Sequence, residues 1–204
     1  MPLKVRRVVT GHLPDGRSTV LIDGAAPNVK QRAAGNASTL LWVTDESPAS
    51  VSKAGDRAAR EIGVPPPRCG SIFRIAEFPP GVGGEVRDNE ALLRDFGIGA
   101  DVARGHAPRH PAIHRTRSLD YVVVLEGEIT LLLDDSELVL KTGDVVVQQG
   151  TNHAWINRGA TTCRLVMVFI DAEEPDPDGK KARAAGRHPD SGAKSPPDRR
   201  KMPR

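Results

Sequence analysis

Residues 114–157 decide the fold, and they read HRTRSLDYVVVLEGEITLLLDDSELVLKTGDVVVQQGTNHAWIN. Runs of Val, Leu and Ile recur every few residues, and each run ends at a glycine or a polar turn. Gly127 and Gly143 stand where the chain has to reverse, and glycine adopts the positive φ angles that tight turns often need. Short strands at such regular spacing predict an all-β antiparallel sandwich or barrel.

The same strands carry polar side chains on the face that a barrel turns inward, because residues two apart on a strand share a face. These side chains are His114, Thr116, Asp120, His153, Trp155 and Asn157. Two imidazoles and a carboxylate in an apolar interior are costly unless they are paired or bind a cation. Such donors suit Fe(II), Mn(II) or Zn(II). The alternative is a structural role, in which Asp120 accepts hydrogen bonds from His114 or Arg115 and His153 caps a turn.

The stretch resembles the two sequence motifs of the cupin family. The first motif, a His-x-His pair followed by an acid and a glycine, matches His114, Thr116, Asp120 and Gly127. The second motif, a glycine, a Pro-x-Gly element, a histidine and an asparagine, matches Gly143, Gln149-Gly150, His153 and Asn157. The chain departs from the pattern in three ways. Thr116 replaces the second histidine, Asp120 replaces the usual Glu, and the second motif is one residue short and lacks the proline.

The resemblance implies a cupin-like antiparallel β-barrel, that is, a double-sheet jelly roll. It implies a divalent metal ion (Fe, Mn or Zn) on His114, Asp120 and His153. It further implies that Thr116 and His153 act in catalysis and that Trp155 and Asn157 line the pocket.

Similar cupins occur among tailoring proteins for polyketide-like aromatic products. We therefore expect a metal-dependent oxidoreductase or lyase that acts on a small organic molecule of secondary metabolism. The alternative is a metal-free cupin that binds or senses a small ligand, which the missing second histidine favours.

The composition of the chain limits the kinds of partner that it is expected to bind. Residues 172–204 hold 9 Lys or Arg and 6 Asp or Glu, so the remaining residues carry 20 of each and are formally neutral. With this balance and only 3% aromatic residues, we expect no nucleic-acid partner. No apolar run reaches the roughly 18 residues of a membrane span, and no signal peptide is seen. Cys69 and Cys163 are far apart, which favours a reducing, cytoplasmic setting.

We expect one domain over residues 1–171, with its barrel core at about 70–171, and a disordered tail over residues 172–204. The β-prone runs at 4–10 and 17–23 flank a Pro-Asp-Gly turn and predict an N-terminal hairpin. Its open edge predicts a homodimer. Residues 45–70 are expected to form a surface loop, and residues 88–97 are expected to form a short helix with a cap at Asp88 or Asn89.

Overall fold

The computed structural model describes residues 2–32, 35–51, 55–82, 97 and 109–174, and within these ranges every regular element is a β-strand. The strands are β1 Arg6–His12, β2 Ser18–Ala25, β3 Val29–Gln31, β4 Ala37–Thr44, β5 Ser71–Phe78, β6 Ser118–Glu126, β7 Glu128–Leu132, β8 Glu137–Lys141, β9 Val145–Gln149, β10 Ala154–Ile156 and β11 Cys163–Asp171.

Two antiparallel sheets form the body of the molecule. The larger has six strands in the order β3-β4-β5-β11-β6-β9, and the smaller has three in the order β10-β7-β8. The all-β, double-sheet prediction is thus confirmed. The two sheets stay separate and do not close into one continuous barrel, so the architecture is a sandwich.

The core lies between the facing sides of these sheets. Side chains alternate between buried and half-buried along β11, and its buried residues Leu165 and Met167 pack in one cluster with Val122 of β6. Leu131 of β7 and Trp155 of β10 belong to the same cluster and come from the smaller sheet. This period-two burial is what the sequence pattern of a half-covered strand predicts.

The predicted N-terminal hairpin is present as β1 and β2. Its turn closes through a hydrogen bond from Leu13 N to Arg17 O at 2.8 Å, and Gly16 supplies the positive φ of 85°. The chain around it packs on the outer face of the larger sheet, where Ala26 is buried against Leu41 and Ile75. The outer faces of β4 and β5 are therefore partly covered.

The remaining expectations have different outcomes. Residues 45–51 and 55–70 contain no strand or helix, as predicted for a loop, whereas the short strand β3 was not predicted. The expected helix at 88–97 lies outside the described residues except for Gly97, which is in a turn.

Met1–Glu174 form one compact unit. Residues 175–204 lie outside the described part, so disorder of the tail stays a prediction. No helix that is long and apolar enough to cross a bilayer occurs among the described residues.

Candidate functional site

The two motif histidines meet where the segment before β6 passes the segment before β10. Backbone hydrogen bonds join them in both directions, from His114 N to His153 O and from His153 N to His114 O, each at 2.9 Å. Their ring centroids lie 4.6 Å apart. Residues 39 positions apart in sequence are thus neighbours because a single antiparallel bridge fixes them.

Backbone carbonyls orient both imidazoles. The Nδ1 atom of His114 lies 2.9 Å from Ala112 O, and that of His153 lies 2.9 Å from Thr151 O. A carbonyl only accepts, so each Nδ1 carries the proton and donates it, and each Nε2 is left with its lone pair. Burial, and to a smaller extent the neighbouring His114, lowers the pKa of His153 to about 3, so the ring is neutral at physiological pH. Burial also lowers the pKa of His114, in the same direction.

Asp120 on β6 is 1% exposed and is the acidic group of the site. Burial raises its pKa to about 6, against smaller lowering effects from the Ser118 hydroxyl and the Gln148 amide. Thr116 is linked to Asp120 indirectly. Its hydroxyl oxygen lies 2.7 Å from the hydroxyl oxygen of Ser118, and the Ser118 hydroxyl acts on the Asp120 carboxyl. Asp120 Oδ1 is buried without a hydrogen-bond partner. Arg115 does not pair with Asp120 and instead binds Glu174 at 2.7 Å.

Gln148 links the acid to one imidazole. It stands directly opposite Asp120 in the β6–β9 pairing, and its Nε2 donates to Asp120 Oδ2 at 3.1 Å. The same Nε2 lies 3.1 Å from His153 Nε2 and 2.9 Å from His153 Nδ1. Because Nδ1 already donates to Thr151 O, Nε2 is the acceptor. The two amide protons of Gln148 are thus divided between Asp120 and His153.

These groups border a cavity of about 90 Å³ between the sheets. Most of its wall is apolar. Its polar wall includes His114, Thr116, Asp120 and His153, and the indole of Trp155 lies edge-on to the His153 ring at 6.0 Å. By volume the cavity suits a single-ring organic molecule or a few water molecules. Five of the six predicted site residues therefore lie on one cavity.

Asn157 is the exception, because it is not in the cavity wall. It is fully buried, and its Nδ2 donates to Phe78 O at 2.6 Å and to Thr161 O at 2.8 Å. Its Oδ1 accepts from Gly159 N at 2.8 Å. The side-chain alternation that groups Asn157 with His153 and Trp155 fails because β10 ends at Ile156 and the chain turns there.

Three residues near the cavity were not among the predicted site residues: Gln148, Arg74 and Arg32. Gln148 follows an apolar run, and its role depends on the register between β6 and β9, which one sequence does not reveal. Arg74 has a visible signal, since it is the charged residue on a strand face otherwise made of Ile72, Ala76 and Phe78. Arg32 lies beyond the unpredicted strand β3 and carries no such signal.

The residues do not fit a divalent ion as they are arranged. No group of three or more His, Cys, Asp or Glu side chains within the described ranges is placed to hold one. A zinc–nitrogen bond is about 2.0–2.1 Å, and the amide of Gln148 occupies both Asp120 Oδ2 and His153 Nε2, the atoms that an ion would need. The hydroxyl of Thr116 is bonded to Ser118. In this arrangement Gln148 forms an amide bridge between Asp120 and His153, and the metal site at His114, Asp120 and His153 stays a prediction.

Comparison with known proteins gives one family. The family model described as "Cupin domain" matches residues 101–169. The Phomopsin biosynthesis cluster protein C' of Diaporthe leptostromiformis is 36% identical over 69% of this chain and 64% of its own length. Protein D of the same cluster is 54% identical over 54% of this chain and 46% of its own length. The chain thus spans about half to just under two thirds of these curated relatives.

A third relative matches over a longer range. The cupin-domain-containing oxidoreductase fogC of Aspergillus ruber is 29% identical over 87% of this chain and 78% of its own length. By name, two of these relatives belong to a biosynthetic cluster and one is an oxidoreductase.

Proposed function

Because this chain belongs to the cupin superfamily, whose fold serves many unrelated activities, we propose a function that rests on its cavity. The protein takes a small, mostly apolar organic molecule of secondary metabolism between its two sheets, and it does so without a divalent metal ion. The observation that carries this proposal is the amide bridge of Gln148 between Asp120 and His153. The relatives from a biosynthetic cluster support the class of molecule.

The polar wall is suited to moving a proton on the bound molecule. A buried carboxyl with a pKa of about 6 is close to the optimum for exchanging a proton near neutral pH. Its second oxygen, Asp120 Oδ1, has no hydrogen-bond partner among the described residues and is the atom that would accept or return the proton. Thr116 would hold a ligand hydroxyl or a water molecule, and the neutral His153 would accept no further proton at this pH.

A second candidate is the metal-dependent oxidoreductase or lyase that the motif resemblance implies. The similarity to a cupin-domain-containing oxidoreductase favours it. Asp120 Oδ1 favours it as well, because Gln148 binds only the other carboxylate oxygen, Oδ2. It requires the Gln148 side chain to rotate away, so that Asp120 and His153 become available together with His114.

Ligand binding to metal-free protein tests the first candidate. Trp155 lines the cavity and Trp42 does not, so a Trp42→Phe background reports the cavity alone through the fluorescence of Trp155. We expect a neutral ring such as benzamide to change this fluorescence saturably after exhaustive dialysis against a chelator.

Two substitutions of the same kind make the test specific. Ala76→Leu places three carbons in the cavity wall and is expected to abolish binding, whereas Ala25→Leu on the exposed hairpin is expected to leave it unchanged. Binding that appears only after Fe, Mn or Zn is added back would reject the metal-free proposal and favour the second candidate.

A further inference from the structure

Arg74 is a charged side chain on the inner face of the larger sheet. It lies in the middle of β5, between Ile72 and Ala76, and it is only 5% exposed. It lines the same cavity as Asp120 and Trp155. A buried guanidinium costs free energy unless a counter-charge and several acceptors surround it.

The contacts of Arg74 fall short of that requirement. One terminal nitrogen donates to Gly63 O at 2.6 Å, and the guanidinium carbon lies 5.3 Å from the centre of the Phe169 ring. Its Nε is buried and has no hydrogen-bond partner within the described part of the chain. Among the ion pairs of the described residues, none joins Arg74 to a carboxylate.

Another buried arginine shows how the same protein satisfies such a group. Arg7 is 8% exposed, and both of its terminal nitrogens bind the carboxylate of Asp56. One of them also donates to Leu41 O at 2.9 Å. Arg7 thus has a carboxylate partner outside the cavity, whereas none of the described acids pairs with Arg74 in the cavity wall.

A second cation reinforces the first. Arg32 is 9% exposed and lines the same cavity. Burial, and to a smaller extent the positive charge of Arg32, lowers the pKa of Arg74 to about 10. The field of Arg32 also lowers the pKa of His114. The guanidinium groups of Arg32 and Arg74 thus border the same cavity and are close enough for one to affect the pKa of the other.

Asp120 does not neutralise this end of the cavity. Arg74 stands opposite Met167 on β11, whereas Asp120 stands opposite Phe169, two residues further along that strand. Since neighbouring strands are about 4.8 Å apart and two residues span about 6.6 Å along a strand, the backbones of Arg74 and Asp120 are roughly 12 Å apart. The charge effects on the pKa of Asp120 do not include either arginine.

We propose that Arg74 forms an anion subsite and that the natural ligand of the cavity is a small apolar or aromatic carboxylate. This proposal rests on the proposed binding function and adds the charge of the ligand to it. A carboxylate matches the planar fork of a guanidinium with two parallel hydrogen bonds. The remainder of the ligand lies against Phe78, Met167 and Phe169 and points its far end at Asp120.

Benzoate and benzamide give a matched pair of probes, because they have the same shape and differ in charge. Binding is measured by the fluorescence of Trp155 in the Trp42→Phe background, with chelator present. We expect benzoate to bind about 10- to 100-fold more tightly than benzamide, the range expected for hydrogen bonds to a charged group. We expect Arg74→Met to remove this preference and Arg74→Lys to keep part of it.

Arg164→Met is the control for a generic loss of positive charge. Arg164 is paired with Glu77 and Glu126 and does not line the cavity, so the preference for benzoate should persist. Unfolding of each variant is measured alongside. If Arg74→Met does not fold, the comparison of the two probes on the unsubstituted Arg74 protein still decides.

The outcomes separate the two proposals. Equal affinity for benzoate and benzamide, or a preference that survives in folded Arg74→Met, overturns the anion subsite and leaves the binding function standing. If neither probe binds, the proposed function itself fails and the anion subsite falls with it.

Discussion

Gln148 is the residue on which the metal-free account depends. Its amide gives one proton to Asp120 and one to His153, and all three side chains are buried. Removing a donor from a buried acceptor costs the desolvation penalty of that acceptor. The site therefore holds together through an uncharged side chain that also contributes to folding.

We expect Gln148→Leu to lower the free energy of unfolding by about 1–3 kcal/mol, since it leaves Asp120 Oδ2 and His153 Nε2 without their donor. Urea unfolding of the chelator-treated protein measures this loss. Gln149→Leu changes the next residue, which is exposed, and should shift stability by less than about 0.5 kcal/mol. Equal effects of the two substitutions would show that the amide bridge contributes nothing.

Asp120 makes a separate prediction about pH. Its pKa rises from 3.8 to about 6 on folding, so between these values the folded protein holds a proton that the unfolded chain has lost. Stability from this group is therefore highest below about pH 4 and falls as pH rises to about 6. At pH 7 the loss amounts to about 3 kcal/mol.

Comparison with Asp120→Asn isolates this effect, because both proteins keep His114 and His153. The lowered histidine pKa values act with the opposite sign, since the unfolded chain then binds more protons and acid destabilises the fold. Urea unfolding from pH 3.5 to 7 should show the stability of the Asp120 protein falling relative to Asp120→Asn. A difference that stays constant over this range would contradict the raised pKa.

At the scale of elements, Asn157 holds the turn between β10 and β11 against the end of β5. Its three side-chain hydrogen bonds join Phe78, Gly159 and Thr161. We expect Asn157→Ala to cost about 2–4 kcal/mol in unfolding free energy, because buried partners lose their bonds. The folded variant should still bind benzamide with unchanged affinity. If Asn157→Ala lost benzamide binding without losing stability, Asn157 would be part of the binding pocket after all.

Much of the fold could be predicted from the sequence because period-two burial and glycine turns are local signals. The strands β6 to β9 follow apolar runs that end at Gly127, Gly143 or a polar turn, and β1 and β2 flank Pro14-Asp15-Gly16. Strand β3 has only three exposed residues, so no burial pattern marks it. Local signals do not state whether the sheets close, and they predicted a sandwich or a barrel equally; the structure has two separate sheets.

The candidate site was less predictable because its chemistry depends on cross-strand register. His114, Asp120 and His153 are visible in the motifs, but the position of Gln148 opposite Asp120 follows only from the pairing of β6 with β9. Likewise, Arg74 is apparent in the sequence as a charge among apolar neighbours. That no described acid pairs with it is known only once the neighbouring strands are placed.

At the scale of the whole molecule, the outer face of the larger sheet carries an apolar row across four strands. Phe73, Val168, Tyr121 and Val147 stand opposite one another in the pairing of β5, β11, β6 and β9. Tyr121 is 44% exposed and Val147 is 57% exposed. Monomers rarely expose a large contiguous apolar patch. The hairpin of the same chain is apolar and exposed as well, at Val20 and Leu21.

We expect these two surfaces to meet across a two-fold axis in a homodimer, since an isologous contact uses two patches of one chain reciprocally. Sedimentation of the full chain should show a dimer. Val147→Asp or deletion of residues 1–23 should weaken it, whereas Leu138→Asp, at an exposed position on the other sheet, should not. A monomer at high micromolar concentration would contradict this expectation.

The metal content of protein purified without chelator tests the central claim most directly. If the amide of Gln148 stands where an ion would bind, elemental analysis should find far less than one Fe, Mn or Zn per chain, and chelator should not change the affinity for benzamide. The double substitution Thr116→His and Gln148→Ala should raise bound metal towards one per chain, because it supplies a ligand and frees Asp120 and His153. About one tightly held metal ion per unsubstituted chain, with binding lost on its removal, would contradict the account.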